Sequence, residues 1–184
     1  MSPDTAWYEA RNLLAQSLSR ECAALHSLVV FTAGPANAES ESTAALTAQA
    51  ARFNDWLDGD AKARGAKAPV SPWASDATAR QVPVRTAPFG PVQNQNDDAL
   101  LARLGPERYG RIKLISGGAG RYASVLDRSG LYAYEILNFV NGKRTAGEIR
   151  DAVSAEFGPI PIAFVADYLG ALADAKIIAL TSPK

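Results

Sequence analysis

The amino-acid sequence predicts a mainly α chain in three parts. These are a helical hairpin over residues 1–58, an extended Pro-rich strap over 59–96, and a three-helix module with a small β element over 97–184. Three observations carry this reading. Apolar residues recur at helical spacing towards both ends of the chain. Five prolines (Pro69, Pro72, Pro83, Pro88 and Pro91) crowd the stretch between. The charge is unevenly spread, although 19 basic and 19 acidic residues sum to zero. Residues 1–60 hold three basic against eight acidic residues, net −5; residues 61–125 hold ten against four, net +6; residues 126–184 hold six against seven, net −1. Such asymmetry bears on association rather than on fold.

The first part reads as two helices. No Gly or Pro falls between Trp7 and Val30, and Leu14, Leu18, Leu25 and Leu28 share one helical face. Pro3 and Asp4 are start signals, and Gly34-Pro35 ends the helix. Ser40 or Ser42 is expected to cap the second helix, because a hydroxyl accepts from an orphaned backbone N–H. Leu46, Ala50, Phe53 and Leu57 form its apolar face, with Gly59 as the expected stop. Two such helices joined by a short turn make an antiparallel hairpin with little of its own to pack against.

The middle part has little periodicity. Proline fixes φ and removes a donor, so neither helix nor central strand is expected there. Trp73 and Phe89 favour a strap docked on a surface over a free linker, because pure linkers seldom carry large aromatics. The acidic hairpin is the expected docking surface for this basic strap.

The last part becomes regular again. Asp97-Asp98 precedes a short helix to Leu104, Arg111 to Ile115 alternates like a strand, Ser116 to Gly120 is a Gly-rich turn, and Tyr122 to Leu126 suggests a second short strand. Ala133, Ile136, Leu137 and Val140 mark the first helix of the module, ended by Asn141-Gly142. Thr145 and Glu148 match a capping box, in which each satisfies a backbone donor near the other. Ile149, Ala152, Val153 and Phe157 form the next apolar face, stopped by Gly158-Pro159. Pro161 starts a third helix through Ile162, Val165, Leu169 and Leu172, and Ile177 to Leu180 closes as a strand. Three short helices with a β segment suggest a winged-helix-like module.

Composition removes much catalytic chemistry. A lone Cys22 excludes an intrachain disulfide and multi-Cys zinc sites, and a lone His26 excludes two-His metal sites. Cys22 and His26 stand at i, i+4, but no third member or oxyanion hole accompanies them. The Gly-rich turn lacks phosphate-loop order, and Asp55, Asp58 and Asp60 lack calcium-loop spacing. No catalytic, cofactor or metal residue is therefore assigned, no cofactor is expected, and no run is apolar enough for a membrane helix. The third helix, Ile162 to Ala175, carries Asp167 and Asp174 and no cation, which argues against nucleic acid as a partner. Protein contact is what is left. Its candidate residues are Phe164, Tyr168, Trp73, Phe89, Lys143 and Arg144. Core burial is the favoured alternative for the Phe164–Tyr168 pair, since apolar stripes usually face a core.

One stretch resembles a known family. Glu135-Ile136-Leu137, then Val140-Asn141-Gly142-Lys143-Arg144-Thr145, then Glu148-Ile149-Arg150 through Phe157-Gly158-Pro159, resembles the post-catalytic C-terminal region of bacterial leucyl-aminopeptidase-like zinc metallopeptidases. The similarity is strongest over residues 97–180. The same stretch is similar to winged-helix peptide-binding modules such as the pyrroloquinoline-quinone peptide chaperone. That family's paired zinc ions need two His ligands, so none of its catalytic residues maps onto this chain. The resemblance implies a non-catalytic accessory region that binds a metallopeptidase catalytic domain in cis or trans. It also implies a bacterial parent enzyme, with export an option, and leaves a homo-oligomer open. The rivals are peptide recognition by strand addition and a winged-helix DNA regulator.

Overall fold

The computed structural model describes residues 1–32, 36–86, 101–102, 105–111 and 129–182. The chain is mainly helical with one small antiparallel sheet, and it divides into two units, Met1–Pro72 and Trp73–Lys184. The Pro-rich stretch is thus shared between two folded units.

The first unit is a hairpin of α1 (Pro3–Thr32) and α2 (Ala36–Ala63). Ser2 opens α1, accepting from the backbone N–H of Thr5 at 3.2 Å, which leaves Pro3 at the first helical position. Ser40 and Ser42 lie inside α2 instead of capping it, because Ala36 to Glu39 holds no breaker and extends the helix backwards. Gly59 does not stop it either. An exposed interior glycine costs only about 1 kcal/mol, and the stop is Gly65. Its φ of +88° lets Gly65 N–H reach Lys62 O at 3.0 Å and Ala66 N–H reach Ala61 O at 3.0 Å, a Schellman turn. The chain then folds back on the start of α1. Asp4 accepts from the backbone N–H of Lys67 (2.7 Å) and Ala68 (3.3 Å), and its own carbonyl accepts from Val70 (3.2 Å). Trp7 is buried and donates its indole N–H to Asp58 at 2.8 Å. Docking on the hairpin therefore holds for residues 67–70.

From Trp73 onward the strap belongs to the second unit. A 3₁₀ turn at Ala77–Arg80 is followed by β1 (Val82–Arg85), then α3 (Ser129–Asn138), α4 (Ala146–Phe157), α5 (Ile162–Asp174) and β2 (Ile178–Thr181). Residues 105–111 are also helical, so Arg111 ends a helix instead of opening a strand, and its guanidinium meets Asp174 at 2.8 Å. The rest of that expected strand, the Asp97-Asp98 cap, the Gly-rich turn, the strand at Tyr122 and Phe89 lie outside the described residues.

The unexpected element is β1, because no strand was assigned to this stretch; in a two-stranded sheet it is an edge strand, not the central strand that its proline argues against. It pairs antiparallel with β2 in the register Val82↔Thr181, Pro83↔Leu180, Val84↔Ala179, Arg85↔Ile178. Thr86 N–H donates to Ile177 O at 3.2 Å. By the alternation of an antiparallel ladder, Val84 and Val82 face β2 in the same phase, and Pro83 turns its donorless nitrogen away from it. Period two then sends Pro83, Ile178 and Leu180 towards the core and Val82, Val84 and Thr181 outwards.

The core is built by α3, α4, α5 and β2. Ile136, Val140, Ile149, Val153, Phe164 and Val165 are each fully enclosed. Tyr132 sets its ring edge-on to Phe157 (centroids 5.3 Å) and Phe164 (6.5 Å). The capping box forms as its residues predict: Glu148 N–H donates to Thr145 Oγ1 at 3.2 Å, and Thr145 N–H to Glu148 Oε2 at 2.7 Å.

Candidate peptide-binding edge

Two devices position the β1–β2 ribbon. The first is Arg85. At the end of α3, Arg85 reaches from β1 to donate to Leu137 O at 2.6 Å, which also accepts from Val140 N–H at 3.2 Å, and to Val140 O at 3.0 Å. The second is Trp73. Its indole N–H donates to Asp151 Oδ1 at 2.9 Å, and its ring lies on Gly147 so closely that a β-carbon there would sit 2.8 Å from it. Asp151 is also held by Arg150 at 3.1 Å, and Arg150 donates to Ile160 O at 2.7 Å. Both charges are buried and hydrogen-bonded, as buried charges must be.

The ribbon has two unlike rims. On the β1 side, Gln81 O accepts from Ala146 N–H at 2.8 Å and the turn after α3 lies alongside, with Gly142 within 3.8 Å of Val84 on adding a β-carbon. On the β2 side, Ile178 and Leu180 point their backbone N–H and C=O groups away from β1, and among the described residues no strand pairs with them. The outward face of the ribbon opens into a groove of about 610 Å³ lined by Val82, Val84, Lys143, Thr145, Glu148 and Thr181. An extended chain added along β2 would run past the rim of this groove at Thr181. The groove presents one cation, one carboxylate and two valines, which suits side-chain selection better than covalent chemistry.

The candidate contact residues scatter. Phe164 and Tyr168 are 0% and 1% exposed, so they are core side chains and offer no contact surface. Trp73 is committed to α4. Lys143 is exposed at the groove, and its backbone N–H, like that of Arg144, donates to Asn141 Oδ1 (3.0 and 2.9 Å). Arg144 instead lies over the Phe139 ring at 4.8 Å. His26 Nδ1 meets Glu39 across the hairpin at 2.9 Å in an exposed pair. Among the described residues no three His, Cys, Asp or Glu side chains gather as a metal would need. The closing strand at Ile177–Leu180 and peptide addition to an edge strand were among the expectations, but Val82 and Val84 were missed, because their role depends on a pairing between segments about a hundred residues apart. No family model, no curated protein and no solved structure matches this chain.

Proposed function

We propose that the second unit is a winged-helix-like, non-catalytic recognition module that holds an extended segment of a protein partner by strand addition to β2. The observation that carries the reading is the outward-facing backbone of Ile178 and Leu180 beside α5 and next to a groove with selective side chains. In this mode main-chain bonds supply affinity and pockets for alternate side chains supply specificity. A zinc aminopeptidase catalytic domain as the partner is supported by the sequence resemblance alone. A DNA-reading role has little support, because α5 carries no Lys or Arg and its Phe164 and Tyr168 are enclosed.

The test is selection of short random peptides on the whole purified chain, followed by hydrogen exchange on the complex. Slowed exchange at Ile178 and Leu180, with binding lost when alternate peptide nitrogens are methylated, supports the reading. Peptides that bind without slowing those two amides, or that tolerate backbone methylation, would sink it.

A further inference from the structure

The groove beside β2 carries an unbalanced charge. Two ionised side chains border it, Lys143 and Glu148. Glu148 is already engaged. Its Oε2 accepts from the Thr145 N–H at 2.7 Å and from the Thr145 hydroxyl at 3.1 Å, and the positive start of α4 offsets its charge. Lys143 is not engaged in this way. It is exposed, its backbone N–H donates to Asn141, and among the described residues no carboxylate lies within ion-pair distance of its ammonium. Arg144, the next cation, lies over the Phe139 ring and does not line the groove.

The floor of the groove is the outward row of the sheet. Val82 stands across from Thr181 and Val84 across from Ala179. Both valines are half-buried, whereas Thr181 and Ala179 are exposed. Thr181 lines the groove and Ala179 does not. The Thr181 hydroxyl donates to Val82 O at 3.1 Å, so it is spent within the ribbon. The side chain that a strand added along β2 places beside Thr181 therefore enters the groove, and the one two residues away, beside Ala179, stays outside it.

We propose that Lys143 makes this edge selective for an acidic segment: the partner strand sets one Glu or Asp beside Thr181, and its carboxylate pairs with the Lys143 ammonium across Val82. This deepens the strand-addition reading, rests on it, and names the side chain that reading leaves open. Charge selects the occupant. A cationic side chain at this position meets the like charge of Lys143, and the carboxylate that could answer it is held in the α4 cap. Reach selects between the two acids. Strands lie about 4.8 Å apart, so the added strand is about 10 Å from β1, and Lys143 stands in the turn beyond β1. Glu, with its longer stem, spans that gap better than Asp.

The experiment repeats the selection of short random peptides on the full chain, on Lys143→Met and on Lys143→Glu. Amide exchange at Ile178 and Leu180 is read on each complex. The wild-type chain should select Glu, and less often Asp, at one fixed position and not at the position two residues away. Replacing that Glu by Gln should weaken binding about two- to fivefold, the range of an exposed ion pair. The same replacement should change nothing against Lys143→Met, and Lys143→Glu should select Lys or Arg there instead. Slowed exchange at Ile178 and Leu180 without any acidic preference overturns the inference and leaves strand addition standing. So does an acidic preference that persists in Lys143→Met. A library that yields no binder, or acidic peptides that bind without slowing those two amides, overturns both.

Discussion

Lys176 holds a φ of +57° in the turn between α5 and β2. Its N–H donates to Ala173 O at 2.9 Å and the next, Ile177, donates to Leu172 O at 3.0 Å, the same Schellman pattern that Gly65 closes after α2. A side chain in this left-handed region carries a steric cost that glycine escapes, and Lys176 is exposed. Lys176→Gly should therefore stabilise the second unit by about 0.5–1 kcal/mol, part of the relief being returned as chain entropy; urea melts measure it, and a loss of stability would contradict the turn geometry. Gly147 is the opposite case. Gly147→Ala drives a methyl to 2.8 Å from the Trp73 ring, and overpacking of this kind costs about 1–3 kcal/mol. Combining it with Trp73→Ala should cost less than the two changes summed, because the clash is gone. Asp76 adds a pH signature. Its carboxylate accepts from the Thr78 hydroxyl at 2.6 Å and the Thr78 N–H at 2.8 Å, and these bonds hold it below its ordinary value of 3.8. A lowered folded value means that the stabilisation is fully present above the unfolded value and is lost as pH falls through the folded one. Asp76→Ala should cost about 1 kcal/mol at neutral pH, as caps generally do, and the gap between wild type and variant should close in strong acid. A gap that stays constant with pH would mean that the charge plays no part.

Elements differ in how far they announce themselves. The helices were legible because 3.6-residue periodicity is local. Ile136, Ile149, Val165 and Leu172, chosen by spacing, are all enclosed in the core. The capping box at Thr145 and Glu148 was legible for the same reason, since both partners lie within one turn. β1 was not. Four residues with a proline second in line carry no local strand signal, and what makes them a strand is a partner at Ile178–Thr181 and a register that leaves Pro83 without a donor to place. The candidate site was half legible: the strand at Ile177–Leu180 was expected, but which of its rims faces away from a partner is set only once β1 and β2 have paired. Trp73 was expected to dock with the strap on the hairpin and instead sits on α4, since nothing local named Gly147 and Asp151 as its seat. Arg85 then joins the ribbon to α3. Arg85→Met removes the guanidinium bonds to Leu137 O, which keeps the Val140 N–H, and to Val140 O, and bonds from a charged group are each worth about 1.5–3 kcal/mol. The expected effect is a lower melting temperature with faster amide exchange in both strands and the end of α3. Arg85→Lys should restore little, because an ammonium lacks the planar fork that spans two carbonyls. Full rescue by lysine would show that charge alone suffices.

The two units differ in what stabilises them, and that difference yields a separable response. The second unit encloses its own core, with Phe164, Ile136 and Ile149 all at 0% exposure. Among the described residues the first unit encloses one large apolar side chain, Trp7. Truncating an enclosed phenylalanine costs about 3–5 kcal/mol, so Phe164→Ala should speed amide exchange through α4, α5 and β2 and leave α1 and α2 unchanged. Hydrogen exchange read segment by segment resolves the two units. If Phe164→Ala releases α1 and α2 together with α4 and α5, the chain unfolds as one cooperative body and the separate-unit account is wrong.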